Sequence, residues 1–392
     1  MSERKGRKRS AEPKEVAPEE VAPETETPTG LPPGSWSLAM IVKDEEQTLG
    51  RVLDDAAAIC DELIVVDTGS TDATVKVATD HGARIFDFEW VDDFAAARNS
   101  AFDRCAGDWI LWLDADDHIP PPAQEAFLRL KDELVDIAEV DGVMIPYHRV
   151  FSEHDPDVCT FSFDRERVLR RRAGLRWAGA VHEVIGLERL IRWPDAFVEH
   201  RPTPDSWDRK KDRNLLILQS AVAAGDRSPR TLFYLGNELR DHQRWAESLS
   251  VHRDYIKVSD VPWEKYDALI SMARCEEALK HDQKKLQLLL SAVTLDSTRA
   301  EAFMRLGIHH YDSREWSQAI PFFAAASVLE RPAAGFIDDT AYTWAPWDYL
   351  SICHSELGRY EEALTETLRA LRGSDDRQRL FANMSFYLDQ LR

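Results

Sequence analysis

Three carboxylates, Asp114, Asp116 and Asp117, follow directly on the apolar run Trp109-Ile-Leu-Trp-Leu113. Packing alone does not end a buried strand in three acids. Acids gathered at the carboxyl edge of a sheet form a cation site, and a cation in that place grips phosphates. Asp44 and Asp67 close two further apolar runs, Ser37–Val42 and Glu62–Val66. Three strand ends sending acids to one edge is a stronger signal than any one of them.

The competing phosphate sites are absent from the sequence. No Gly-x-Gly-x-x-Gly follows the first strand, and no Gly-x-x-x-x-Gly-Lys-Ser/Thr occurs. His182-Glu183 lacks the second His of a zinc-protease helix. A divalent ion clamping a nucleotide diphosphate remains. Mg2+ or Mn2+ suits it, because carboxylate and phosphate oxygens are hard ligands. His200 follows the apolar stretch ending at Val198 and could reach the same pocket. The arginines at 165, 167, 170, 171 and 172 read as a mainly solvated basic face, one or two of which could steer an anionic donor.

The elements that must position these groups alternate. Strands are expected at 37–42, 62–67, 83–88 and 109–113, with helices at 46–60, 71–81 and 94–105 between them. Ser70 or Thr71 is placed to cap the second helix. Such alternation predicts a parallel sheet covered by helices, with ligands beyond the strands' carboxyl ends.

From Ser206 onward the texture is continuous helix. Leu306-Gly307, Tyr311, Ala319, Phe323, Ala326 and Pro332 follow the tetratricopeptide spacing, with Pro332 one residue late. Weaker copies centre on Gly236, Ala273 and Ser351, and an insertion falls around 335–344. Stacked helix pairs make a long concave surface suited to a polypeptide. The tryptophans at 207, 245, 263, 316, 344 and 347 would be core packing or acceptor contacts, and the repeats could equally form a homodimer.

Composition bounds the rest. A chain of 392 residues suggests two or three domains. A formal charge of -21 disfavours nucleic acid as a partner. No stretch approaches the apolar length of a membrane span. The first ten residues hold five Lys/Arg and no apolar core, so no secretory signal is expected. Pro13, Pro18, Pro23 and Pro28 then recur among Glu, Val, Ala and Thr, a composition that does not fold. Five scattered cysteines without Cys-x-x-Cys fit a reducing cytoplasm.

Met40-Ile-Val-Lys-Asp-Glu-Glu46, Val65-Val-Asp-Thr-Gly-Ser-Thr-Asp72, Ala97-Arg-Asn99, Gly107–Asp116 and Val181-His-Glu183 together resemble glycosyltransferase family 2 over about residues 36–220. The resemblance implies a Rossmann-like GT-A domain that takes a nucleotide-activated sugar. The expected organisation is a tail at 1–34, a GT-A domain at 35–205, and an all-α linker with tetratricopeptide-like repeats at 206–392. Matched positions imply that Asp67 meets the nucleobase, Asp114 the ribose or metal, Asp116 the metal, and Arg98 the phosphates. Asp44 stands in the donor loop where Asn is usual. Glu183 is the implied general base of an inverting transfer, with Asp117 and Asp164 as rivals. His182 would ligate the metal or contact phosphate. Relatives with helical repeats include peptide glycosyltransferases, which makes a protein or peptide acceptor the favoured expectation. An envelope glycan or lipid-linked acceptor is the alternative, and an inactive binding protein is a further one. Deleting 226–392 is expected to spare donor hydrolysis and abolish acceptor transfer.

Overall fold

The structure, a computed structural model, describes residues 31–135, 137, 139–151, 159–172, 174–203, 212–332, 337–374 and 376–392. The expected tail up to residue 30, Trp207 and the start of the insertion at 335–336 lie outside the described residues.

The chain divides into two compact units. The first holds the chain up to Phe88, Ser100–Ala173 and Leu187–Arg201. The second holds Glu89–Asn99, Gly174–Gly186 and Pro202–Arg392.

In the first unit, β1 (Trp36–Val42), β2 (Glu62–Asp67), β3 (Arg84–Asp87) and β4 (Trp109–Trp112) are parallel, in the order β3-β2-β1-β4. Helices α1 (Leu49–Ala57) and α2 (Thr74–Asp80) connect β1 to β2 and β2 to β3, and α3 (Phe94–Phe102) precedes β4. The continuous apolar sequences of β1, β2 and β4 follow from burial on both faces.

Beyond β4 the sheet departs from the expected parallel pattern. After β5 (Asp117–His118) and α4 (Pro121–Leu134), β6 (Gly142–Phe151) and β7 (Cys159–Arg170) pair antiparallel. β7 lies antiparallel to β4, so the sheet is mixed. After β8 (Trp177–Ala178) and β9 (Val184–Ile185), which pair with each other in the second unit, the chain returns. β10 (Leu190–Arg192) and β11 (Val198–His200) both add to β6, and β11 pairs with β5. One core, including Trp36, Leu38, Trp109, Leu111, Phe127, Ile145 and Val198, fills this unit.

The second unit is mainly helical: α5 (Arg213–Ala223), then the hairpins α6/α7 (Pro229–Asp241, Trp245–Val258), α8/α9 (Pro262–Ala278, Asp282–Leu295), α10/α11 (Ala300–Asp312, Trp316–Ala326) and α12/α13 (Ala345–Glu356, Tyr360–Ala370), then α14 (Arg377–Gln390). The anchors Gly236, Ala273, Gly307 and Ser351 each lie buried in the first helix of a hairpin. Their partners Ser248, Tyr255, Leu289, Ala292, Ala319, Phe323, Ala326, Ala363 and Ala370 are buried too. No described helix is long and apolar enough to cross a membrane.

The boundary expected at 205/206 does not separate these units. Trp90, Phe94, Ala180 and Val181 pack with Leu215, Leu218, Leu235 and Leu239 of α5 and α6. Burying that apolar surface ties 89–99 and 174–186 to the helices rather than to the sheet.

Candidate donor and metal site

The acid turn is built by β4 and β5 and closed from β6, β7 and β11. Asp117 is fully buried, and both its oxygens are engaged. Oδ1 accepts from the Tyr147 hydroxyl at 2.9 Å, and Oδ2 accepts from the Asp114 amide at 2.9 Å. Arg167 Nη2 lies 3.0 Å from the same Oδ2 and 3.7 Å from Asp114. Burial, with Asp117 beside it, pushes the Tyr147 hydroxyl far above its usual range, so it stays a donor. These contacts make Asp117 the internal brace of the turn. A general base must reach an acceptor hydroxyl, and this carboxylate is sealed from solvent.

Arg167 is the main residue that sequence reasoning missed. Read as part of a solvated basic face, it is fully buried. Its guanidinium carbon sits 4.0 Å from the Trp112 ring centroid and 4.4 Å from that of Tyr147. One signal was available: three acids at a buried strand end demand a nearby cation, and the neighbouring strand carries Arg165 and Arg167.

With Asp117 committed to bracing, Asp116 and His200 face each other. Asp116 is 4% exposed, and its Oδ1 lies 3.5 Å from His200 Nδ1. The backbone fixes both residues. His200 pairs with Asp117 across the β11–β5 ladder, and the Arg201 amide donates to the Asp116 carbonyl at 2.8 Å. His200 Nδ1 is buried and makes no hydrogen bond among the described residues. Ligand atoms of Asp116, Asp117 and His200 all lie within 4.8 Å of one another. An imidazole nitrogen left unbonded beside a carboxylate fits a divalent cation. Asp114, its side chain 36% exposed, is more open and stands outside that trio.

The other edge acids shape their own turns. Asp67 Oδ2 accepts from the amides of Gly69 (3.1 Å) and Ser70 (3.0 Å), closing the turn after β2. Asp44 adopts φ 54°, a conformation that Asp and Asn tolerate better than most residues. Its Oδ1 accepts from the Thr71 amide at 2.7 Å, and its own amide donates to Ser70 Oγ at 3.0 Å. Ser70 and Thr71 therefore brace the first loop instead of capping α2, where Asp72 accepts from the Thr74 amide at 2.9 Å.

Arg98, His182 and Glu183 lie in the second unit. Arg98 Nε donates to Glu183 Oε1 at 2.5 Å, with both side chains largely buried. His182 stacks on Tyr234 at 4.1 Å between centroids, and its Nε2 lies 3.6 Å from Glu238. It joins no cluster of three metal-ligating side chains among the described residues. Asp164, the other rival base, is paired with Arg192 at 2.6 Å.

Residues 37–192 match the family described as Glycosyl transferase family 2. A TPR repeat-containing protein of Synechococcus elongatus is 34% identical over 184 residues, 42% of this chain and 41% of the relative. The SPbeta prophage-derived glycosyltransferase SunS of Bacillus subtilis is 23% identical over 237 residues, 58% of this chain and 54% of the relative. The chain thus spans about half the length of these relatives, or less. Similar solved structures include the C-terminal part of a TPR repeat-containing protein from Cytophaga hutchinsonii (TM-score 0.39, 12% identity, 48% of this chain and 70% of that one). Another is glucosyl-3-phosphoglycerate synthase from Mycobacterium tuberculosis in complex with Mn2+, UDP and glucosyl-3-phosphoglycerate (TM-score 0.34, 18% identity, 48% of this chain and 79% of that one).

Proposed function

We propose that this chain, whose residues 37–192 match the Glycosyl transferase family 2 model, transfers one sugar from a UDP-sugar to an acceptor, with inversion at the anomeric carbon. The observation that carries the reading is the Asp116–His200 pair at the sheet edge, beside an Asp117 neutralised by Arg167.

In this reading Asp67 and Asp44 line the nucleoside end of the donor, and Asp114 meets the ribose. Asp116 and His200 would hold Mg2+ or Mn2+. A bound divalent ion there supplies Lewis-acid neutralisation of the departing diphosphate. Glu183 is the proposed base. Its carboxylate takes the proton of the acceptor hydroxyl as that oxygen attacks C1, and the sugar–phosphate bond breaks to release UDP. Arg98, expected at the phosphates, would orient Glu183 through their hydrogen bond. The favoured acceptor is a protein or peptide, because stacked helical hairpins offer an extended surface. The five free cysteines suit the proposed cytoplasmic location.

The test is nucleotide release by the full chain, screened over UDP- and GDP-sugars with Mn2+ or Mg2+. Release from a UDP-sugar is expected, with loss in Asp116→Ala. Full turnover in that variant sinks the metal assignment.

A further inference from the structure

We infer that Tyr234 and Glu238, on the first repeat helix α6, are positioning residues for the catalytic motif Val181-His182-Glu183. The inference rests on the proposal that Glu183 is the general base.

His182 adopts φ 54°, an uncommon backbone state for a residue with a side chain. Such a conformation persists where its surroundings over-determine it. Here three side chains of α6 do so. The Arg230 guanidinium donates to the His182 carbonyl. Tyr234 stacks on the imidazole, with 20° between the planes. Glu238 meets its Nε2 at 3.6 Å. Residues 230, 234 and 238 are spaced four apart, so they form one stripe along the helix. All three members of the stripe meet this one loop residue.

The stripe is itself anchored. The Arg230 guanidinium carbon sits 5.0 Å from the Tyr234 ring centroid. Glu238 accepts from Asn214 Nδ2 at 3.4 Å and faces His242 at 3.9 Å. Burial pushes the Glu238 carboxyl up, but His182, Asn214 and His242 outweigh it and hold it below the usual range. Glu238 thus stays ionised at neutral pH, as a hub for those partners.

On the other side of His182, the Glu183 carboxylate is bound by Arg98, whose guanidinium lies 5.6 Å from the Trp177 ring. Asn99 pins the backbone of Trp177 in both directions, at 3.0 and 2.9 Å. Val184–Ile185 pairs with Trp177–Ala178. Glu183 is therefore suspended between a strand pair and a histidine clamped by the repeat helix. Loosening the clamp frees one end of that suspension.

A purely structural contact and a positioning contact give different kinetics. The full-length chain is assayed for nucleotide release, with hydrogen exchange followed in residues 179–186. Tyr234→Leu and the near-isosteric Glu238→Gln should lower kcat roughly ten- to hundredfold, the scale of an ångström's misplacement. Donor KM and Mn2+ affinity should be unchanged, and exchange in 179–186 should quicken. Tyr234→Phe, which keeps the stack, should restore kcat. Unchanged kcat in Tyr234→Leu, or unchanged exchange in the loop, overturns the positioning role. Glu183→Gln separates this from the underlying reading. Full turnover there removes the base and the inference together, whereas slow turnover there with normal Tyr234→Leu removes the inference alone.

Discussion

Adjacent acids in the Asp114–Asp117 turn have different work because their surroundings differ. Asp117 has lost all contact with water and answers to Arg167, Tyr147 and a backbone amide. Asp116 instead faces an imidazole nitrogen that makes no hydrogen bond among the described residues. Asp117→Asn should therefore cost stability, about 3 kcal/mol in urea unfolding, because it removes the charge opposite a buried guanidinium. Asp116→Asn should leave unfolding nearly unaltered and abolish Mn2+ binding, followed by electron paramagnetic resonance. The reverse pattern would exchange the two roles. The acids themselves were legible, since a hydrophobic strand running into carboxylates is anomalous by composition. Their division was not. It depends on Arg167, fifty residues further along β7, whose letter reads the same whether it is solvated or sealed between Trp112 and Tyr147.

Among the elements, the repeat hairpins were legible through close contact. Gly236 and Gly307 stand where the second helix of each hairpin approaches. An added Cβ would lie 2.6 Å from the His252 ring in one and 2.5 Å from the Phe323 ring in the other. Gly307→Ala should then destabilise by about 1–3 kcal/mol through overpacking, read from the thermal midpoint. The hairpin turns were less legible. Gln243, Lys280, Arg314 and Gly358 each have positive φ and each follow their repeat's anchor by seven residues, yet only one is glycine. Likewise β6 and β7 were hard to see, because their polar residues break any simple alternation. His252 adds a pH dependence. Burial, with Arg240 nearby, lowers its pKa from 6.5 to about 3. As pH falls below 6.5 the unfolded chain takes up a proton that the folded one refuses, until pH approaches 3. Stability should drop by about 2 kcal/mol between neutrality and pH 5. His252→Phe should flatten that slope, and an unaltered slope would assign it to other groups.

At the scale of the whole molecule, the stretch that matches the glycosyltransferase family is not one compact unit. Residues 37–192 contain 89–99 and 174–186, which belong with the helices. Chain order alone suggested a sheet domain followed by repeats, because contacts between 181 and 235 leave no local pattern. This changes what a truncation does. Deleting 226–392, expected on the modular view to spare donor hydrolysis, removes Arg230, Tyr234 and Glu238 from His182. It also strips Leu235 and Leu239 from the cluster holding Trp90, Phe94 and Val181. Each such leucine contributes about 1.5–3 kcal/mol of burial, enough to release the loop. The sheet unit keeps a complete core of its own, including Trp36, Trp109 and Val198. The shortened chain should therefore still bind Mn2+ at Asp116 and His200 but release no nucleotide. Titration with Mn2+ and a UDP-release assay on the same sample decide between the two views. Metal binding with normal release would show that Glu183 works without α6, whereas binding without release makes the first repeat part of the catalytic unit.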